Sequence, residues 1–238
     1  MINNNLDTQK ISKDFKSNKA IRIDNFLDVD YANDLHNFFS KEMPKDWWSL
    51  STWPKRPGWE DEVTDNIRLE DNPDTKAAIA YKKVIADDAF QRGEFSYSFK
   101  RTLDDHVDHC ECKECKLRSF LSSSDVIKFI NKITKSDVTE SGTLFASLYE
   151  EGDFLSIHHD GPNGKIGFVY NLCPGWRADW GGLLHTLDDE EISVTKTYVP
   201  GFNTLTLFDS SQETGYPHYV SHVLNKDAKR ISFTGWYK

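Results

Sequence analysis

A mainly β fold with supporting helices (α+β), built as a double-sheet jelly-roll core packed with N-terminal helices, is predicted by three features of the 238-residue sequence. The texture changes after Gly142. Residues 144–149, 154–158, 166–172, 182–187, 192–199, 202–208, 219–224 and 230–237 are short runs rich in β-branched and aromatic residues. Turn-forming text separates most of them, including Glu-Glu-Gly-Asp at 150–153, Gly-Pro-Asn-Gly at 161–164, Pro-Gly at 200–201 and Asn-Lys-Asp at 225–227. Eight short strands punctuated in this way suit a jelly roll. The front half carries helical periodicity instead, so one domain is expected, with residues 1–142 as helical and irregular support and 143–238 as the catalytic core.

Taken in order, residues 1–20 are polar and read as a loosely held lead-in. Residues 21–26 alternate like an edge strand. Asp28 or Asp30 is placed to cap a helix that carries Ala32, Leu35, Phe38 and Phe39 and stops at Pro44. Residues 46–60 hold Trp47, Trp48, Trp53 and Trp59 among Pro54, Pro57 and Gly58, which predicts a loop. Its tryptophans read either as a lid packed on the core or as an aromatic wall at a substrate entrance, with Trp47 and Trp53 as pocket candidates. A helix is predicted from Asp74 to about Phe90, and Phe95, Tyr97 and Phe99 share one face of a strand. Ser122-Ser123-Ser124-Asp125 caps a further helix whose inner stripe is Val126, Ile127, Phe129, Ile130 and Ile133.

The charge balance, 38 acidic against 29 basic residues, argues against general nucleic-acid binding, which needs a basic face. No apolar run approaches membrane-spanning length, so no membrane partner is expected. The first residues show no basic stretch followed by an apolar block, and the four cysteines do not form a disulfide framework, so a reducing cytoplasmic setting is expected. Three of those cysteines sit in His109-Cys110-Glu-Cys112-Lys-Glu-Cys115. These residues are candidate structural-zinc ligands, set against a reduced, partly buried cysteine turn.

The chemistry is expected to centre on Phe154-Leu-Ser-Ile-His158-His159-Asp160. On a strand, His158 and Asp160 point to one face and His159 to the other, which gives two corners of a metal site. A third ligand must come from downstream, where His185, His218 and His222 are available. His222 lies on the seventh predicted strand and is taken as that ligand, while His185 and His218 read as loop or surface histidines, His218 being also a candidate for the pocket mouth. Two histidines and a carboxylate form the facial triad of non-haem Fe(II) oxygenases; the same donors also bind zinc. Eight residues after His222, Arg230 and Ser232 share a strand face. A buried guanidinium beside a hydroxyl matches a carboxylate, and a ligand carboxylate is the economical partner.

This ordered set, His158-x-Asp160, His222 and Arg230-x-Ser232, resembles the signature of the 2-oxoglutarate- and Fe(II)-dependent dioxygenases, in their prolyl 4-hydroxylase-like branch. The likeness extends through Tyr149-Glu-Glu-Gly-Asp-Phe-Leu, Tyr170-Asn-Leu-Cys-Pro-Gly-Trp176, Asp179-Trp-Gly-Gly-Leu183, Val199-Pro-Gly-Phe-Asn-Thr-Leu-Thr-Leu-Phe208 and Arg230-Ile-Ser-Phe-Thr-Gly-Trp236. It covers roughly residues 143–238. It implies a double-stranded β-helix, Fe(II), 2-oxoglutarate and O2, ascorbate as reductant, and hydroxylation of a substrate with release of succinate and CO2. A peptidyl residue such as proline is the first expectation for the substrate. A free amino acid or small metabolite is the alternative, and a non-catalytic jelly-roll binding module stands behind both. Arg230 would pair with the far carboxylate of 2-oxoglutarate, with Ser232 beside it. Related prolyl hydroxylases often carry a second cosubstrate-binding tyrosine on the third strand. That position here is Asn171, and Tyr170 falls one place early and turns to the opposite face, so Tyr149, Asn171 and Tyr170 are the candidates for that contact.

Overall fold

All eight strands expected after Gly142 form, and those over 144–149 and 166–172 are buried on both faces. The computed structural model describes residues 1–54, 66–105, 110–161, 163–211 and 215–238. In chain order the elements are α1 (Thr8–Asn18), β1 (Ala20–Asp24), α2 (Val29–Asn37), β2 (Trp48–Trp53), β3 (Ile67–Arg68), α3 (Pro73–Gln91), β4 (Tyr97–Thr102), α4 (Lys113–Leu121) and α5 (Ser124–Thr134). Then come β5 (Ser141–Tyr149), β6 (Phe154–His158), β7 (Ile166–Leu172), β8 (Leu184–Leu187), β9 (Val194–Tyr198), β10 (Phe202–Asp209), β11 (His218–Val220) and β12 (Arg230–Tyr237). The hydrogen-bonded order is β1-β10-β7-β12-β5-β4-β6-β11-β8-β9, all neighbours antiparallel, with β2 and β3 attached beside β4. The sheet curls almost closed, as a jelly roll does. The strand β4 joins the two halves. It pairs with β5 through Lys100 and Arg101, and with β6 through Tyr97 and Ser98.

Period-two alternation sorts the side chains. On β5, β7, β10 and β12, one set faces outward into a large core: Ala146, Tyr170, Leu207 and Phe233 are among its members. The helices cover this face, contributing Phe15 from α1, Leu35 from α2, Leu117 and Leu121 from α4, and Val126, Ile130 and Ile133 from α5. The other set faces the barrel interior, where Phe99, Phe145, Tyr149, Val169, Phe208 and Val220 form a second apolar cluster.

Several expected elements change. The polar lead-in contains α1, because Asp7 accepts hydrogen bonds from the backbone of Gln9 and Lys10 and so caps a turn that buries Phe15. The tryptophan-rich segment begins as β2, whose pairing runs from Trp48 opposite Thr102 to Trp53 opposite Tyr97. The helix breakers there start at Pro54, beyond the strand end. Pro57, Gly58 and Trp59 lie outside the described residues, as does His109. The cysteine turn leads into α4, capped by Cys112. The α2 helix is capped by Asp28, and α3 by Asn72 with Pro73 at its first position. No helix among the described residues is long and apolar enough to cross a membrane.

The turn that delivers β6 to the site is fixed by a buried carboxylate. Asp153 is fully buried, and its oxygens lie 2.6 Å from Lys100 Nζ and 2.6 Å from Lys83 Nζ. It also accepts from the Glu150 amide at 2.9 Å and from Ser98 Oγ at 3.3 Å. One side chain thus ties α3, β4 and the β5–β6 turn together. Its backbone carbonyl accepts from Val223 at 3.1 Å, which adds the segment after β11. Truncating one partner of such a cluster strands the other charges in a poorly hydrated site. Asp153→Ala should therefore lower stability by about 3–5 kcal/mol. Chemical denaturation measures this; a loss under about 1 kcal/mol would show that the cluster is not the tie described.

Candidate active site

Two strands bring three candidate metal ligands together. His158 ends β6, Asp160 follows it, and His218 opens β11, directly opposite His158 in the strand register. Their ligand atoms all lie within 4.8 Å of one another. His158 Nε2 is 3.5 Å from Asp160 Oδ1, and His218 Nε2 is 3.3 Å from Asp160 Oδ2. Each imidazole is braced in the same way: His158 Nδ1 lies 3.0 Å from the Ser156 carbonyl, and His218 Nδ1 lies 3.1 Å from the Tyr216 carbonyl. An Nδ1–H donated to a carbonyl leaves the Nε2 lone pair free to ligate, the orientation in which a metal-binding histidine is held. Burial opposes ionisation of Asp160, but the two imidazoles beside it outweigh this and hold the carboxyl well below the usual carboxylate range.

The third donor is therefore His218 and not the expected His222. The cause is where β11 stops. The strand ends at Val220, and Val223 takes the next inward position in the interior cluster. His222 is turned the other way, stacked on Phe154 at 4.2 Å and placed 3.9 Å from Asp87 of α3. Its carbonyl accepts from the Gly182 amide at 3.1 Å, and a Cβ on Gly181 would come within 2.0 Å of that oxygen. Gly181 and Gly182 both have positive φ, so the glycine pair is what lets the chain leave the strand here.

A cavity of about 420 Å³ opens from His158, Asp160 and His218 into the barrel and reaches Arg230 and Ser232 on β12. Arg230 is almost fully buried, and its Nε has no hydrogen-bond partner. The guanidinium lies 4.9 Å over the Tyr149 ring. Ser232 Oγ is 2.8 Å from Ser147 Oγ. Burial pushes the Tyr149 hydroxyl up, and Arg230 offsets this only in part. Asn171 faces the interior opposite Ser232, with its Oδ1 buried and without a partner. Tyr170 does not reach this space. Its hydroxyl donates to Asn203 Oδ1 at 3.1 Å within the outer core, which removes it from the cosubstrate candidates.

The two tryptophan candidates separate. Trp47 packs against Phe38 on the outer core, away from the cavity. Trp53 stands at the rim, 6.5 Å from Phe95, whose ring is 6.2 Å from His158. Both rim residues are exposed, Trp53 at 38% and Phe95 at 44%. Arg101 was not singled out from sequence, yet it lines the cavity with its guanidinium 4.1 Å over Phe145. Its place on the inward face of β4, two residues after Phe99, was the available signal.

An interior that pairs a two-histidine, one-carboxylate donor set with a buried cation lacking a counter-ion is shaped for a metal and an anionic co-ligand. Residues 144–238 match the sequence family described as the 2OG-Fe(II) oxygenase superfamily, where 2OG is 2-oxoglutarate. Prolyl 3-hydroxylase OGFOD1 of Mus musculus is 28% identical over 162 residues, which span 66% of this chain and 29% of that protein. The Xenopus laevis prolyl 3-hydroxylase OGFOD1 is 30% identical over 146 residues, 59% of this chain and 28% of that protein. The chain thus spans under a third of these curated relatives. Solved structures share its fold. A prolyl hydroxylase from Trichoplax adhaerens, in complex with a hypoxia inducible factor peptide fragment, superposes with a TM-score of 0.59 at 19% identity, over 97% of this chain and 88% of that one. A Pseudomonas putida prolyl-4-hydroxylase gives 0.56 at 17% identity, over 97% and 98%.

The two histidine assignments make opposite predictions. Losing an outer hydrogen-bond partner of a ligand already costs about 10–100-fold in metal affinity, so His218→Ala should weaken Mn(II) binding by more than about tenfold. His222→Ala should leave it within about threefold. Titration followed by electron paramagnetic resonance reads both, and the reverse order would restore His222 to the site.

Proposed function

We propose that this chain is an Fe(II)- and 2-oxoglutarate-dependent dioxygenase that hydroxylates a proline within a peptide. The observation that carries the reading is the shared cavity. His158, Asp160 and His218 stand at one side, and the counter-ion-free Arg230 stands at the other. The four similar proteins described above are named prolyl hydroxylases, which supports the substrate class.

Each residue has a definable task. His158, Asp160 and His218 would hold Fe(II) through two neutral imidazoles and one carboxylate. That donor set leaves the loaded site with net positive charge, which favours an anionic cosubstrate. When bound, Fe(II) with 2-oxoglutarate and O2 supplies the oxidising chemistry that places one oxygen atom on substrate carbon and the other in succinate. Arg230 neutralises the far carboxylate of the cosubstrate, and Ser232 lies beside it to add a hydroxyl donor. Tyr149 stays protonated through burial, so its hydroxyl is a donor rather than a repelling anion. Asn171 is not one of the residues lining this cavity, and its Nδ2 already donates to the Val169 carbonyl at 3.4 Å and to Thr204 Oγ1 at 3.5 Å. Phe99, Val169, Phe208 and Val220 exclude water from the space between. At the rim, Trp53 and Phe95 offer ring faces to the polarised C–H groups of a proline ring.

The test is formation of succinate from 2-oxoglutarate under Fe(II), O2 and ascorbate, stimulated by proline-containing peptides that gain one oxygen by mass spectrometry. Absence of turnover, together with no thermal stabilisation by 2-oxoglutarate and Mn(II), would sink the reading. A gain of oxygen only on free amino acids would move the substrate class. Arg230→Ala removes charge-assisted hydrogen bonds worth about 1.5–3 kcal/mol, so the KM for 2-oxoglutarate should rise about ten- to a hundredfold. Trp53→Ala should instead raise the KM for peptide several-fold and leave that for 2-oxoglutarate unchanged; an equal effect on both would remove Trp53 from the substrate rim.

A further inference from the structure

The cysteines between β4 and α4 play no part in the oxygenase site. Cys110, Cys112 and Cys115 place their Sγ atoms within 4.8 Å of one another. The chain arranges this with few residues. Cys112 caps α4, and its Sγ accepts from the Cys115 amide at 3.4 Å, which fixes two thiols one turn apart. Cys110 then folds back from the other side of Glu111. No disulfide joins any of them.

Three sulfurs converging on one point are more than a disulfide needs, since a disulfide uses two and leaves the third without a role. They do suit a tetrahedral soft cation: a Zn–S bond of about 2.3 Å sets neighbouring sulfurs about 3.8 Å apart, a short contraction from the observed spacing. Lys113 is held by Asp34 at 2.7 Å and Glu42 at 3.2 Å, and Lys116 by Glu111 at 3.1 Å, so both neighbouring ammonium groups are committed to carboxylates. The three residues are only half-buried, and Cys110 opens onto a surface groove beside Tyr31 and Asp34, so an ion has a way in.

We propose that Cys110, Cys112 and Cys115 form a zinc(II) site, distinct from the His158–Asp160–His218 centre, that pins the start of α4. Binding releases the thiol protons to solvent, and a fourth donor, water in the simplest case, completes the tetrahedron. The consequence is structural. The α4 helix inserts Leu117 and Leu121 into the outer core, and Arg118 donates to the Leu144 carbonyl of β5, so a staple at its first turn braces the strand behind the cavity.

The test uses the full chain carrying His158→Ala, reduced and freed of metal, and Co(II) as the probe. A stoichiometric Co(II) should give the intense near-ultraviolet thiolate-to-metal charge-transfer band, which histidine and carboxylate ligands cannot produce, and Zn(II) should displace it. Cys112→Ser/Cys115→Ser should lose the band, and Cys173→Ser should keep it. Zn(II) should raise the thermal midpoint of the His158→Ala chain and not that of the double cysteine variant. A readout without cysteine substitution is alkylation mapped by mass spectrometry, in which Zn(II) should slow labelling of these three thiols at least tenfold. Absence of the charge-transfer band with all three thiols reduced would overturn the proposal. So would unchanged labelling, or a chain two hydrogens lighter with a disulfide in this segment.

Discussion

The central strands have no spare face. On β5, β7, β10 and β12 one set of side chains is covered by helices and the other closes around the cavity. A shift of one residue would therefore send Arg230 and Ser232 into a hydrocarbon layer and Ile231 and Phe233 into the polar cavity. That two-sided burial dictates which residues can take part in chemistry. It places Asn171 inside and Tyr170 outside, although they are adjacent. The long antiparallel register of β12 with both β5 and β7 locks the arrangement from either side.

A second constraint acts where the regular pairing ends. The metal-site residues sit at strand termini, where hydrogen bonding to neighbours is thin, and the missing order comes from side chains. Asp153, with Lys83 and Lys100, fixes the approach to β6, while the Gly181–Gly182 pair and the His222 carbonyl fix the exit from β11. His218 and His158 then meet across one register position.

Much of this was legible in the sequence. Strand alternation and turn residues located all eight core strands, and the fold gathers His158, Arg230 and Ser232 from strand positions, with Asp160 from just beyond β6, around one cavity. The second histidine was misplaced for a physical reason. His218 and His222 differ by four residues, an even number, so strand parity alone gives both the same face. Only the break after Val220, made by tertiary contacts from Gly182 and Asp153, separates them. Both α1 and β2 were missed because polar composition and the proline beyond the strand masked a capped turn and an edge pairing. Arg101 was missed although strand parity with Phe99, two residues earlier, puts it on the inward face of β4.

The way the imidazoles are braced has an evolutionary corollary. Both His158 and His218 are oriented by a carbonyl only two residues upstream, Ser156 on β6 and Tyr216 just before β11, so their aim is written into local backbone. The aromatic rim of Trp53 and Phe95, by contrast, hangs on segments outside that local wiring. Mutations at the rim can accumulate without misaligning the ligands. Descendants of this chain are thus free to drift in what they recognise while inheriting the same redox core intact.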